Sequence, residues 1–234
     1  RPGAPGRRGR DGSPGPAPAR RPRLPRVEAL GLVLGGPDGG RVAGRTWVRH
    51  EVAGAGAFRV SSDGFWQVHA AAAPTLVRLV REAAALRPHD TVLDLYAGAG
   101  LLSLALAGDL GPDGSVVAVE SDPSGVADLR RNAHDEPRLR VVAARVEHAL
   151  DDVPTHVDVV VLDPPRAGAG AAVLDRLAAL GPRRVVVVSC DPAALGRDTA
   201  LLAERGYRLG GLRALDAFPM THHVECVATY DLIS

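Results

Sequence analysis

Residues 91–120 read TVLDLYAGAGLLSLALAGDLGPDGSVVAVE: an apolar strand, a Gly-x-Gly turn, a short apolar helix and a second apolar strand that ends on an acid. Strands written as near-continuous apolar runs are buried on both faces, and their alternation with helices builds a parallel sheet. The alternation continues outward. Helices are expected over 70–86, 101–109, 122–133, 171–179 and 193–205, and strands over 91–96, 115–120, 139–144, 157–163 and 184–189. Two strands, 207–218 and 224–232, follow one another without a helix, which predicts an antiparallel hairpin at one side. The fold expected is therefore α/β, a doubly wound sheet with an antiparallel last strand.

Upstream, residues 27–60 alternate apolar runs with Gly-rich turns (GGPDGG, AGAGA), the pattern of a small antiparallel sheet. Residues 1–26 are Arg-, Pro- and Gly-rich and lack the periodicity needed to bury a face. The organisation expected is a disordered leader (1–26), a small β extension (27–65) and a main domain (66–234).

At 234 residues and 46% hydrophobic content the chain can bury one well-filled core, and two full domains are not expected. No apolar run approaches the roughly 20 residues of a membrane span. No apolar signal-peptide core follows Arg1, so the start reads as a truncation or an internal gene-model boundary. A soluble, cytoplasmic monomer is expected. The leader holds eight Arg against Asp11, about +7, and leaves 20 basic against 26 acidic residues, −6, for the remainder. Every basic residue is Arg, as a GC-rich genome would produce, so the count itself says little about nucleic acid. Two cysteines supply neither a disulfide framework nor a four-cysteine metal site.

In the opening stretch, Gly98 and Gly100 remove side chains where the backbone turns sharply and a ligand comes close. A dinucleotide fingerprint wants Gly or Ala at the sixth position of that motif; Ser103 stands there, which tells against NAD. Glu120 ends the second strand, where a carboxylate can accept both hydroxyls of a ribose.

Further on, 159–168 reads VVVLDPPRAG, with Asp163 at a strand tip and two prolines that keep it out of the next helix. Enzymes that methylate exocyclic amines carry an aromatic residue after such an Asp-Pro-Pro, and Arg166 stands in its place. In VVVVSCDP (185–192), Cys190 leaves a strand at a turn, and a helix begins just after. A free cysteine is most often a buried hydrophobe, but the amino end of that helix can favour a thiolate. Cys226, inside VECVATY, reads as core. Glu225 opens an otherwise apolar strand, where a charge is costly unless used, and is a candidate base. His222 and His223 stand close by, but no second ligand cluster accompanies them, so no metal is expected.

Six blocks in order, GFWQVH, DLYAGAG, VVAVES, LDPPRAG, SCDPAALGRD and FPMTHHVE, resemble the RNA uridine-5-methyltransferase family, the bacterial enzymes that make 5-methyluridine in transfer RNA and 23S ribosomal RNA. The resemblance implies a class I, Rossmann-like methyltransferase sheet, S-adenosylmethionine as cofactor and RNA as partner. It also implies Cys190 as nucleophile and Glu225 as the base that removes the C5 proton. Gln67, Tyr96, Gly98, Gly100, Glu120 and Asp163 fall at cofactor positions, and Gln67 and Asp163 also at the uracil pocket. Leu101 and Arg145 depart from the family, whose members often carry a polar residue and an Asn or Asp there. Two alternatives stay open: a methyltransferase on another substrate, and a catalytically silent RNA-binding relative.

Overall fold

A computed structural model describes residues 33–35, 41–218, 220–221 and 223–233; the leader 1–26 and His222 lie outside the described residues. Seven strands form the main sheet in the order β10-β11-β9-β8-β5-β6-β7. They are β5 (Thr91–Leu95), β6 (Ser115–Glu120), β7 (Leu139–Ala143), β8 (Val159–Leu162), β9 (Arg184–Ser189), β10 (Tyr207–Leu215) and β11 (Glu225–Leu232). Strands β5 to β9 pair in parallel, and β11 runs antiparallel to both β9 and β10. The expected antiparallel hairpin is there, with β11 inserted between β10 and β9.

The apolar runs are short because each residue serves one of two cores. On β8, Val159 and Val161 pack with α1 (Ala72–Ala84) and α2 (Leu101–Ala107) on one face. Val160 and Leu162 face the other layer, where α5 (Ala171–Ala179) and α6 (Pro192–Glu204) contribute Leu174, Leu177, Leu195 and Leu202. This period-two division of a strand between two helix layers is what a doubly wound sheet requires. In such sheets ligands bind beyond the carboxyl ends of the strands, where the strand order reverses. Here that point is β5, flanked by β6 on one side and β8 on the other.

The amino-terminal β region differs from the single small sheet expected. It forms two separate antiparallel pairs, β1 (Val33–Gly35) with β2 (Arg41–Gly44) and β3 (Trp47–Val52) with β4 (Gly56–Ser61). The two pairs are separated by Arg45 and Thr46, between Gly44 and Trp47. The β3–β4 hairpin is tied to α3 (Pro123–Asn132) by the buried Asp128 carboxylate, which accepts from the Ser61 backbone N–H (2.6 Å) and hydroxyl (2.8 Å). One helix, α4 (Val146–Ala149), was not foreseen, being too short to show a period. Among the described residues no helix is long and apolar enough to cross a membrane.

Candidate active site

A cleft of about 560 Å³ opens at the carboxyl ends of the strands. It brings together Gln67, Tyr96, Gly98, Glu120, Asp163, Cys190 and Glu225, residues scattered over 159 positions of chain. Gly100 stands one step back. It caps α2 in the left-handed region, and a Cβ there would lie 2.5 Å from Leu129 Cδ1, so its smallness serves helix packing.

The β5–β6 half is built on backbone. Gly98 has φ +55 with nothing within 4 Å of an added Cβ, which leaves open space above the turn. Tyr96 carries φ +63, a left-handed conformation uncommon for a residue with a side chain, and local strain of this kind gathers at functional sites. The Glu120 carboxylate accepts from the backbone N–H groups of Gly98 (2.7 Å), Ser121 (2.6 Å) and Asp122 (2.7 Å), which pins the turn to the strand end. Asp94 is buried beneath, bonded to the Ser103 hydroxyl, and burial pushes it up to about 7. The residue that argued against NAD is therefore the partner of a buried acid.

The other half is built on the tips of β8, β9 and β11. The β9–β11 ladder ends where Cys226 pairs with Ser189, so Glu225 and Cys190 each follow directly on its last pair and line the same cleft. Burial alone pushes the Glu225 carboxyl up to about 7. Burial, then the charges of Glu225 and Asp94, push Asp163 up to about 8. The Cys190 thiol is raised too, by burial first and then by Glu225 and Asp163, while Arg166 pulls it down. The thiolate preference expected from the helix end is thus outweighed at rest. The cap of α6 is already filled, since Asp191 accepts from the Ala194 N–H at 2.7 Å.

Two residues that sequence reasoning missed hold the Asp163–Gly170 loop. On α6, Asp198 accepts from the backbone N–H groups of Ala169 (2.7 Å) and Gly170 (3.2 Å), and Arg197 donates to the Ala167 carbonyl (3.5 Å). Gly168 lies between, with φ +87, and a Cβ there would sit 2.7 Å from the Asp198 carboxylate. The available signal was Asp198 itself, a charge on the buried helical stripe Ala194, Leu195, Asp198, Leu202. The cleft also takes Phe65, Phe218 and Arg166 as walls. Among the described residues no group of His, Cys, Asp or Glu converges as metal ligands would. Arg145 caps α4 with its guanidinium 3.6 Å from Glu147.

Strand order, Gly turn and acid-tipped second strand define a class I methyltransferase. Residues 144–231 match the family model described as tRNA (uracil-5-)-methyltransferase, and 71–183 match the methyltransferase small domain. An uncharacterized RNA methyltransferase of Streptomyces avermitilis is 49% identical over 194 residues, 82% of this chain and 45% of that protein. One of Bifidobacterium longum is 43% identical over 183 residues, 74% of this chain and 42% of that protein. The crystal structure of the Pyrococcus abyssi tRNA (uracil-54, C5)-methyltransferase with S-adenosyl-L-homocysteine aligns with TM-score 0.68 at 29% identity, covering 80% of this chain and 45% of that one. Over residues 144–231 the chain carries a tRNA (uracil-5-)-methyltransferase domain, and its relatives are RNA methyltransferases. It spans less than half the length of these relatives.

Proposed function

We propose that the chain carries the catalytic centre of an enzyme that methylates carbon 5 of a uridine in RNA, with S-adenosylmethionine as donor. The supporting observation is that Cys190, Glu225 and Asp163 line one cleft, with both carboxyls close enough to act on the thiol. The tRNA description of the matched family model favours transfer RNA over ribosomal RNA.

The donor supplies, when bound, an electrophilic methyl group on a sulfonium. Glu120 would hold its ribose hydroxyls and the open turn at Gly98 would pass its backbone, with Gly100 behind and Tyr96 beside. Carbon 5 of uracil is a weak nucleophile, so the Cys190 thiolate first adds to C6 and shifts the C5–C6 electron pair into an enolate. Arg166 favours that thiolate. Asp163, with a value near 8, is protonated at neutral pH and can donate to the uracil oxygen where charge develops. Gln67 can hold the ring's polar edge. Once C5 carries the methyl group, Glu225 accepts the C5 proton. The electron pair left behind re-forms the double bond as the C6–S bond breaks and Cys190 leaves as thiolate. A ring approached on its face must be unstacked, which demands an unpaired or extruded uridine.

The test is RNA containing 5-fluorouridine, whose fluorine cannot be taken as a proton. Incubated with S-adenosylmethionine and the chain, it should give a covalent complex on a denaturing gel, and no such band with Cys190→Ala. Absence of the band in wild type overturns the mechanism.

A further inference from the structure

We propose that the outer face of the β3–β4 hairpin, where Arg45, Arg49 and Arg59 surround Trp47, grips the phosphate backbone of the RNA whose uridine enters the cleft. The proposal rests on the RNA reading above. The hairpin has two unlike faces. His50, Val52, Phe58 and Val60 turn inward, and Trp66 stacks on His50 at 4.5 Å and lies 5.4 Å from Phe58. The alternate residues, Trp47, Arg49 and Arg59, turn outward.

Three features mark the outward face as an anion site. The Trp47 ring carries the Arg59 guanidinium at 4.3 Å and that of Arg45 at 4.7 Å, which fixes two long side chains that would otherwise lose freedom on binding. Arg49 stands directly opposite Arg59 in the register, a like-charge pair that costs stability until an anion bridges it. Glu51 neutralises Arg49 at 2.7 Å, but among the described residues no carboxylate pairs with Arg45 or Arg59.

The position suits a substrate strand. Asn132 accepts from the Arg59 backbone N–H (2.9 Å) and donates to its carbonyl (3.2 Å), which joins the patch to the end of α3, where Arg130 and Arg131 stand. In the other direction Trp47 pairs with Ser61, and the chain runs from there through Asp63, Gly64 and Phe65 along the cleft wall. Because guanidiniums cover the indole, Trp47 is not free to stack on a base. The patch therefore recognises charge and spacing, not sequence, and a basic surface of this kind selects a polyphosphate backbone.

The experiment measures affinity of the full chain for a uridine-containing RNA hairpin by fluorescence anisotropy across a salt series. The double variant Arg45→Gln/Arg59→Gln should bind about tenfold more weakly near 0.1 M salt. Its log Kd against log salt should be shallower by about 1.5–2, the loss of two phosphate contacts. KM for RNA should rise while kcat and S-adenosylmethionine affinity stay unchanged, and Arg59→Lys should keep most of the affinity. Arg45→Gln alone, outside the β3–β4 ladder and so safe for folding, should lose about half of the slope change. Unaltered affinity and slope in the variants, with a wild type that binds and methylates RNA, overturn the patch and leave the enzyme reading intact. A wild type with no RNA affinity overturns both. Loss of binding to polyglutamate in place of RNA would assign the face to an acidic protein and also overturn the proposal.

Discussion

The two halves of the cleft use carboxylates in opposite ways. On the β5–β6 side, Glu120 is held by three backbone N–H groups and serves as a fixed acceptor at a pinned turn. On the β8–β9–β11 side, Asp163 and Glu225 are pushed up to about 8 and about 7, with no hydrogen bond among the causes that act on either. A carboxylate fixed by hydrogen bonds recognises; a buried one without them exchanges protons near neutral pH. The division matches a reaction in which one ligand must be held and the other must lose a proton.

The sharpest break of this comparison is Cys190→Ala. It should abolish methyl transfer, on the order of 10⁴-fold or more as for other lost nucleophiles, and leave S-adenosylmethionine affinity unchanged, because the thiol belongs to the reactive half. Calorimetry showing a parallel loss of cofactor binding would mean that the halves are not separable.

Glu225→Gln should follow with a loss of about 10²–10⁴ in turnover, and with covalent protein–RNA complex accumulating on a denaturing gel. Normal turnover without that band would reduce Glu225 to a structural charge. In wild type, the step that releases product should rise with pH through about 7 as the carboxyl ionises. Stability should move the other way. Both acids have folded values above their ordinary ones of 4.5 and 3.8, so the folded state binds more protons, and stability present below about pH 4 is lost as pH rises toward 7–8. The glutamine variant, unable to ionise, should show a flatter fall in urea midpoint between pH 5 and 8. An unchanged profile would mean that Glu225 is not desolvated.

Glu120→Ala probes the recognition half. Losing a charged acceptor should weaken S-adenosylmethionine by about 1–3 kcal/mol, roughly 5–150-fold, and lower the rate of adduct formation only through occupancy. Unaltered affinity in calorimetry would move the ribose elsewhere.

How much of this was legible follows from where the information lies. Apolar runs such as VVVL and VVVV announce strands buried on both faces, and Glu120, Asp163, Cys190 and Glu225 each interrupt or end one, so fold and site could be read from pattern. The meeting of Glu225 and Cys190 in one cleft depends on the β9–β11 pairing, and 34 residues of sequence between them hold no trace of it. The groups that raise the Cys190 thiol were illegible for the same reason: burial and the Glu225 and Asp163 carboxyls come from elements distant in sequence, whereas the helix that follows is local and visible.

The smallest effect expected comes from Gly168→Ala, and it tests whether the reactive half depends on a clamp it does not contain. Gly168 is held at φ +87, where a side chain is strained, and its added Cβ would meet the Asp198 carboxylate at 2.7 Å. Backbone strain alone costs about 1–3 kcal/mol, and relief requires either Asp198 or the loop to withdraw, breaking the bonds to Ala169 and Gly170. Arg166 lies on that loop and is the one charge that draws the Cys190 thiol down, beside a backbone hydrogen bond. The variant should therefore fold with modestly reduced stability, and the pH at which iodoacetamide alkylates Cys190 should shift upward. S-adenosylmethionine affinity should hold, since Glu120 and Gly98 sit across the cleft. Asp198→Ala, which removes the clamp without strain at the glycine, should reproduce the alkylation shift. If both variants lose stability but alkylate at the wild-type pH, the clamp supports the fold only, and Arg166 is positioned by something other than α6.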